Sequence, residues 1–291
     1  MDFLEGMNLA VDYIETNLAN DIDFQELAHL VECSEYHLSR IFPFVTGQGL
    51  GLYIRRRRMS QAAMELQSGD IDLLVLAVKY GYSSVDSFTR AFKEIHEASP
   101  SLIGSGQHAI RIYPKLHFSI SIQGAVAMVY RIVEKDSFHI VGIMKNVPIV
   151  FSGPNKDIDA MWKTLTPELI GYWKSVSNTE PKGIISASAN FSDGRMSGNG
   201  TLDHYVGVAT TSVVSRDSAT LEVRSGAWAV FEAVGDFPRN VQSIWGRIYS
   251  EWVPQSDFEL REGPEILWNE GPDTSKPDFR SEIWIPVKRK L

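Results

Sequence analysis

Along the first hundred residues apolar positions recur at helical spacing. Phe3, Leu4, Met7, Ala10, Val11, Ile14 and Leu18 form one stripe and predict an opening helix over residues 2–18. A second stripe of Ile54, Met59, Ala62, Ala63 and Leu66 runs through residues 50–67 without a proline, and Ser68, Gly69 and Asp70 end it. About 18 residues at 1.5 Å each make a rod of roughly 27 Å. Residues 73–92 read as helix, tight turn, helix. Leu73, Leu76, Ala77 and Tyr80 are apolar, Gly81 supplies a turn tolerant of positive φ, and Ser83–Ser84 restart the chain as a cap. In the second helix Phe88, Ala91, Phe92 and Ile95 fall at i, i+3, i+4 and i+7, which leaves Asp86, Thr89, Arg90 and Lys93 facing out.

The stretch from residue 23 to 42 repeats this design. Leu27 and Ala28 match Leu76 and Ala77, and Ser34 matches Ser83. After one extra residue in the second copy, Leu38, Arg40 and Phe42 match Phe88, Arg90 and Phe92. Two helix-turn-helix units separated by a rod are stronger evidence of a DNA reader than one, because a lone αα-hairpin is common in helical proteins. Held at the rod's ends, two reading helices would enter successive turns of the major groove, about 34 Å apart.

From residue 128 the periodicity changes to strands. The segments 128–134 and 137–144 are rich in Val, Ile and aromatics, and a helix over 157–176 carries Ile158, Met161, Trp162, Leu165, Leu169, Tyr172 and Trp173. Strands near 182–189 and 204–211 follow, separated by a Gly- and Ser-rich loop at 190–203. The pattern then recurs with strands at 220–223 and 228–234, a helix over 238–252, and strands at 265–269 and 280–286. The predicted fold is multidomain. An all-α N-terminal domain with two helix-turn-helix motifs joined by a long helix spans 1–105, a connector spans 106–125, and an α+β domain of two β-α-β-β halves spans 126–291.

Composition narrows the class. A hydrophobic fraction of 44% with 22% charged residues is that of a globular protein, and no apolar run reaches the ~20 residues that span a bilayer. No membrane partner is expected, the acidic N-terminus does not read as a secretory signal, and the single Cys33 excludes an intrachain disulfide. A cytoplasmic location is the expectation. The net charge of −8 opposes a nucleic-acid partner, and residues 1–110 hold 8 basic against 15 acidic side chains. Half of those eight basic residues stand together as Arg55, Arg56, Arg57 and Arg58, a local source of phosphate contacts, with bracing of neighbouring helices as the equal alternative for Arg58.

The order LA…S…HLSRIF, then G…YIRRRRM, then LAVKYGY…SFTRAFKE…SP, resembles the DNA-binding module of the AraC/XylS transcription regulators over about residues 5–103. That resemblance implies double-stranded DNA as partner. It implies that Tyr36, His37, Ser39 and Arg40 on the first reading helix, and Val85, Asp86, Ser87 and Arg90 on the second, face it. Glu97 or Ala98 stands where the family has a glycine, and Ile103–Gly104 replaces its closing Tyr-Arg. Asp86 is unusual opposite DNA, so Tyr36 to Arg40 is expected to read more of the sequence than the second head.

The second half resembles the GyrI-like effector-binding domain through EKDSFHIVGI, SGAWAVFEAVG and SEIWIPV, and the domain order is similar to that of Rob-type regulators. The resemblance implies a small organic, frequently cationic, effector and a contributing glutamate in the last strand, which is Glu282 by motif position. Strand alternation independently sets Glu282 and Trp284 on one face and Ile283 and Ile285 on the other. A carboxylate beside an indole suits a desolvated cation, and Trp162, Tyr205, Trp245 and Trp268 are the further candidate lining, each with ordinary core packing as its alternative.

No P-loop, HExxH or GxSxG pattern and no cysteine pair is present, so no cofactor, metal or catalytic residue is expected. The expected function is a sequence-specific regulator, not an enzyme, with an effector-binding domain and RNA polymerase as a further partner. The alternatives are a GyrI-like hydrolase using Glu282 as base, or a protein-interaction module fused to a DNA-binding domain.

Overall fold

The computed structural model describes residues 3–69, 71–119, 127–150, 155–192, 200–212 and 218–290. The chain divides into two units. Of the described residues, one takes those up to Ser39 and those from Gln48 to Ser119, and the other takes Arg40–Gly47 and those from Ala127 onward. Helices α1 (Phe3–Thr16), α2 (Phe24–Leu30), α3 (Glu35–Thr46), α4 (Leu50–Ser68), α5 (Leu73–Lys79), α6 (Val85–His96) and α7 (Pro100–Gly104) run in order through the N-terminal region. Asp70, part of the expected end of α4, lies outside the described residues.

The repeat seen in the sequence is physical. Asp23 caps α2 by accepting the amides of Gln25 and Glu26 at 2.8 and 3.3 Å, and Asp72 caps α5 by accepting those of Leu74 and Val75 at 2.7 and 3.3 Å. Each first helix closes through the same bond, Cys33 N–H to Ala28 O and Tyr82 N–H to Ala77 O, both 2.9 Å. The turn needs a left-handed residue, which is Gly81 (φ 81) in one copy and Glu32 (φ 55) in the other. Glycine adopts that conformation without a Cβ clash, whereas Glu32 holds it at a cost.

The four arginines, a candidate source of phosphate contacts, tie α4 into its own unit, and Arg58 does so in the bracing role that was its alternative. Successive residues on a helix point about 100° apart, so a run of four cannot share one outward face. Arg57 grips Glu15 with Nε to Oε1 at 2.8 Å and Nη2 to Oε2 at 2.7 Å, and reaches the Tyr113 carbonyl. Arg58 donates to the carbonyls of Leu18 and Asn20 at 2.9 and 2.8 Å, and burial lowers its pKa. Arg56 bonds Gln48 at 2.6 Å and Arg55 pairs with Glu94.

The stretch 106–125, expected as a connector, is a strap over its described part. Asn8 and Phe118 exchange two hydrogen bonds of 2.9 Å, and the Tyr113 amide donates to Ser60 at 3.0 Å. Residues 120–125 of that stretch, and 126 at the expected start of the next domain, lie outside the described residues.

The second unit carries β1 (Tyr130–Lys135), β2 (Phe138–Pro148), α8 (Lys156–Lys163), α9 (Pro167–Val176), β3 (Ile185–Ala189), β4 (Thr201–Thr210), β5 (Ala219–Val223), β6 (Gly226–Val234), α10 (Arg239–Arg247), β7 (Phe258–Leu260), β8 (Glu265–Asn269) and β9 (Arg280–Arg289). A π-helical turn, Ile248–Trp252, and a short helix, Val253–Gln255, continue α10. The expected single helix over 157–176 is two helices. Pro167 has no amide to continue the first, and Thr166 caps the second by accepting the Leu169 amide. Residues 193–199 of the expected Gly- and Ser-rich loop lie outside the described residues.

One antiparallel sheet holds the strands in the order β1-β6-β9-β8-β3-β4-β2-β5, with β7 added on β9. The halves are therefore less separate than a β-α-β-β repeat suggests. β1 opens the first half yet pairs with β6 of the second, and β5 opens the second yet pairs with β2 of the first. Phe138, Tyr205, Trp228 and Trp284 lie in the core on one face, while on the other Met161 of α8 packs with Val147, Leu202 and Val206. Gly142 and Gly207 face each other across β2 and β4; a Cβ on Gly207 would lie 2.0 Å from the Val141 carbonyl oxygen.

Candidate functional site

On the second reading helix, α6, the Ser84 hydroxyl accepts the Ser87 amide at 3.1 Å and fixes the first turn. Asp86 and Arg90, four residues apart, are exposed on one outward face, and Val85 and Ser87 are half-buried beside them. On α3, Tyr36 and Ser39 are half-buried, and Ser39 donates to the Tyr36 carbonyl at 2.7 Å. His37 and Arg40, expected to face outward, are buried in this structure.

Arg40 belongs with the second unit, where its partner is Glu265. Glu265 opens β8 and is 3% exposed. Its Oε1 accepts Arg40 Nε at 2.9 Å, Arg40 Nη2 at 2.5 Å and the Tyr249 hydroxyl at 2.5 Å, while its Oε2 accepts the Trp245 indole at 3.1 Å. The guanidinium lies 3.7 Å from the Phe191 ring centroid and 5.8 Å from those of Phe44 and Tyr249. Phe44 and Tyr249 stack at 4.5 Å. A buried carboxylate with a flat cation among three aromatic rings is a cation cage.

Local backbone explains how the cage forms. Trp245 lies in the last turn of α10 and Tyr249 sits on the π-helical turn, where the Val253 amide bonds five residues back to Ile248. Such turns widen a helix by one residue and re-aim side chains, often at functional sites. The indole and the phenol thereby reach the two oxygens of one carboxylate. Ser188 lies opposite Glu265 on β3, and the next strand places His204 opposite Ser188. His204 is fixed by Ser186 at 3.1 Å and Ser188 at 3.0 Å, and burial holds its pKa down at about 4.

The residues expected to form the pocket divide between two faces. Glu282 pairs with Trp268 across β9 and β8, and Ile266 pairs with Trp284, which sets Glu282, Trp284, Trp268 and Tyr205 on the face opposite Glu265. There Glu282 binds Arg131 at 2.9 Å and accepts the Trp284 indole at 3.0 Å. Trp268 donates to the Lys182 carbonyl at 2.7 Å, and burial raises the Tyr205 pKa. Trp162 is partly exposed on α8, and Trp245 alone among the six touches the Glu265 cage.

Glu265, Tyr249, Phe191 and Phe44 were missed by sequence reasoning. Two signals were present: an acidic residue directly before the apolar run Ile266, Leu267 and Trp268, and an aromatic pair, Trp245 and Tyr249, at i and i+4. Among the described residues no cluster of three or more metal-binding side chains occurs, and no helix is long and apolar enough to cross a membrane.

A family profile described as a GyrI-like small molecule binding domain matches residues 128–288, and one described as a helix-turn-helix domain matches residues 27–103. The HTH-type transcriptional activator AarP of Providencia stuartii is 40% identical over 90 residues, 31% of this chain and 67% of AarP. The multiple antibiotic resistance protein MarA of Salmonella typhimurium is 36% identical over 90 residues, 31% of this chain and 71% of MarA. Among solved structures, SAV2435 bound to tetraphenylphosphonium is 21% identical and covers 55% of this chain and 94% of its own, with a TM-score of 0.44.

Proposed function

We infer, for a chain that belongs to the AraC-type DNA-binding transcription regulators and carries a GyrI-like small molecule binding domain, that an organic cation held at Glu265 sets how the protein acts on DNA. The observation that carries this reading is the cage itself. Glu265 is buried, meets four donors, and already holds a guanidinium against aromatic rings. Burying a carboxylate is costly unless a cation and hydrogen bonds compensate it, so this site selects positive charge.

In this reading Trp245, Tyr249 and Phe191 contact the effector. Glu282, Trp284, Trp268 and Tyr205 are given to the opposite core, and Trp162 to the surface of α8. Arg90, Asp86, Ser87 and Val85 contact DNA, as do Tyr36, Ser39 and Arg40, with His37 buried behind them. Effector binding shifts the balance between states that differ in DNA affinity or in contact with RNA polymerase, which requires different effector affinity in the two states. In this reading the protein works in the cytoplasm and acts through binding, with no catalytic step assigned to it.

The test is selection of bound duplexes from a randomised pool, followed by titration of the full chain with phenylguanidinium and tetraphenylphosphonium. The expected result is specific DNA binding, saturable cation binding, and loss of the latter in Glu265→Gln. Cation binding unchanged in that variant would remove Glu265 from the site.

A further inference from the structure

Arg40 and Arg90 hold matching places in the two helix-turn-helix copies, yet they are differently employed. Arg90 is exposed on α6, while Arg40 is 8% exposed with its guanidinium on Glu265. We propose that Arg40 is the resident occupant of the Glu265 cage, and that an effector cation acts by evicting it and so releases a DNA-reading arginine. This rests on the reading of Glu265 as the effector site and adds what the effector must displace.

The physical argument begins with the carboxylate. At 3% exposure Glu265 cannot exchange a lost partner for water, and leaving a buried charge unpaired costs far more than exchanging one cation for another. Arg40 therefore leaves when another cation arrives, and a neutral compound of the same shape does not release it. Trp245 and Tyr249 are neutral donors that remain in place for either occupant.

The seated guanidinium also describes the ligand. Arg40 presents two N–H groups to one carboxylate oxygen and its flat face to Phe191. The class that reproduces both features is a planar nitrogen cation, a guanidinium or amidinium, carrying an aryl group for the Phe44–Tyr249 stack. A quaternary ammonium keeps the charge and the ring attraction but donates no hydrogen bond, so it binds more weakly.

A guanidinium committed to Glu265 is not available to a base edge or a phosphate. DNA and the effector cation then favour the same released state, and linkage makes each raise the affinity of the other by one factor. DNA and cation are cooperative although they touch different groups.

The experiment uses the full chain, a duplex selected by it, phenylguanidinium, and benzyltrimethylammonium as the probe without donors. Arg40→Gln is expected to bind phenylguanidinium about tenfold more tightly than the wild type, within the ~5–150-fold range of site-to-site coupling, and to lose the cooperativity with DNA. With no ligand present, Glu265→Gln is expected to bind the selected duplex about tenfold more tightly, a gain that Arg40→Gln added to it removes. Because Glu265→Gln can fold poorly, the Arg40 Nε–H resonance of the wild-type protein is followed as well. It should be protected from exchange in the free protein and lose protection at saturating phenylguanidinium.

An Arg40→Gln protein that binds the probe no more tightly, or an Nε–H signal that stays protected at saturation, overturns the proposal. A probe that binds neither wild type nor Arg40→Gln removes the cation reading itself. In that case the ligand-free gain of Glu265→Gln, present or absent, still decides whether Arg40 is withheld from DNA.

Discussion

Glu265 and Glu282 stand on neighbouring strands and project from opposite faces of the same sheet. Glu282 is the register partner of Trp268, and Trp268 lies three positions along β8 from Glu265. The two carboxylates therefore meet different surroundings. Glu282 closes a surface pair with Arg131, whereas Glu265 lies under α10 with two neutral donors and a guanidinium.

Their substitutions should separate accordingly. Glu265→Gln is expected to weaken phenylguanidinium binding by tenfold or more, and Glu282→Gln by less than threefold, measured by calorimetry on the full chain. Because Arg131 is half exposed, the Glu282 change costs at most about 1 kcal/mol of stability. The reverse ranking in cation affinity would return the site to Glu282.

Arg57 and Arg90 give a second contrast. Arg57 and Glu15 are both largely buried, so Arg57→Ala leaves a carboxylate unpaired and should cost roughly 3 kcal/mol in urea unfolding, with little dependence on salt. Arg90 is exposed, so Arg90→Ala should leave stability within about 0.5 kcal/mol. The same change should weaken DNA binding and, for a phosphate contact, reduce the salt slope by about 1.

The order of the two reading heads should depend on the effector. Without a cation, Arg90→Ala is expected to weaken specific DNA binding more than Arg40→Ala does; at saturating phenylguanidinium Arg40→Ala should cost at least as much. Titration of a selected duplex by fluorescence anisotropy reads both conditions, and an order that ignores the cation contradicts the eviction of Arg40.

Glycines on strand and helix should respond with opposite signs. A Cβ on Gly207 would collide with backbone of β2, and backbone cannot step aside as a flexible side chain can, so Gly207→Ala should destabilise by about 3 kcal/mol or prevent folding. Gly171 in α9 has nothing within 4 Å of its added Cβ. Gly171→Ala should stabilise by about 0.5–1 kcal/mol through helix propensity. Thermal unfolding of both variants is the measurement.

His204 predicts a pH dependence of fixed sign. Burial lowers its folded pKa to about 4 from an ordinary value of 6.5, so the unfolded chain binds the proton more readily between those values. The stabilisation is present in full above about pH 6.5 and is lost as pH falls toward 4. His204→Gln should flatten that part of the stability curve, by roughly 3 kcal/mol across the window.

What was legible in the sequence was local. The turn at Gly81 and the buried pairs Leu27–Ala28 and Leu76–Ala77 act within a few residues of one another, so the duplicated unit could be read from spacing, whereas the caps Asp23 and Asp72 emerge only from the structure. The break at Thr166–Pro167 was missed because α8 and α9 both turn apolar side chains inward, and the stripe runs through the gap. Arg55, Arg56 and Arg57 invited a phosphate reading because adjacency in sequence was taken for adjacency on a surface, which a helix does not grant, while for Arg58 the bracing role was already an open alternative.

Glu265 was hidden for a different reason. Ile266 on one face of β8 is buried, and so is Glu265 on the other, so alternation alone cannot say which side receives α10. Its partners Trp245 and Tyr249 come from 20 and 16 residues upstream, and only packing of α10 and the π-helical turn against the sheet brings them to it.

The exchange of β1 and β5 makes the effector domain a clasp. Each half completes its sheet with a strand that the chain assigns to the other, so neither half has a finished hydrogen-bonded edge by itself. A fragment ending after β4 would leave β6 absent beside β1 and expose the side of β2 that β5 covers. Folding of the domain is then indivisible, and a ligand that tightens one half tightens the strand it has lent away.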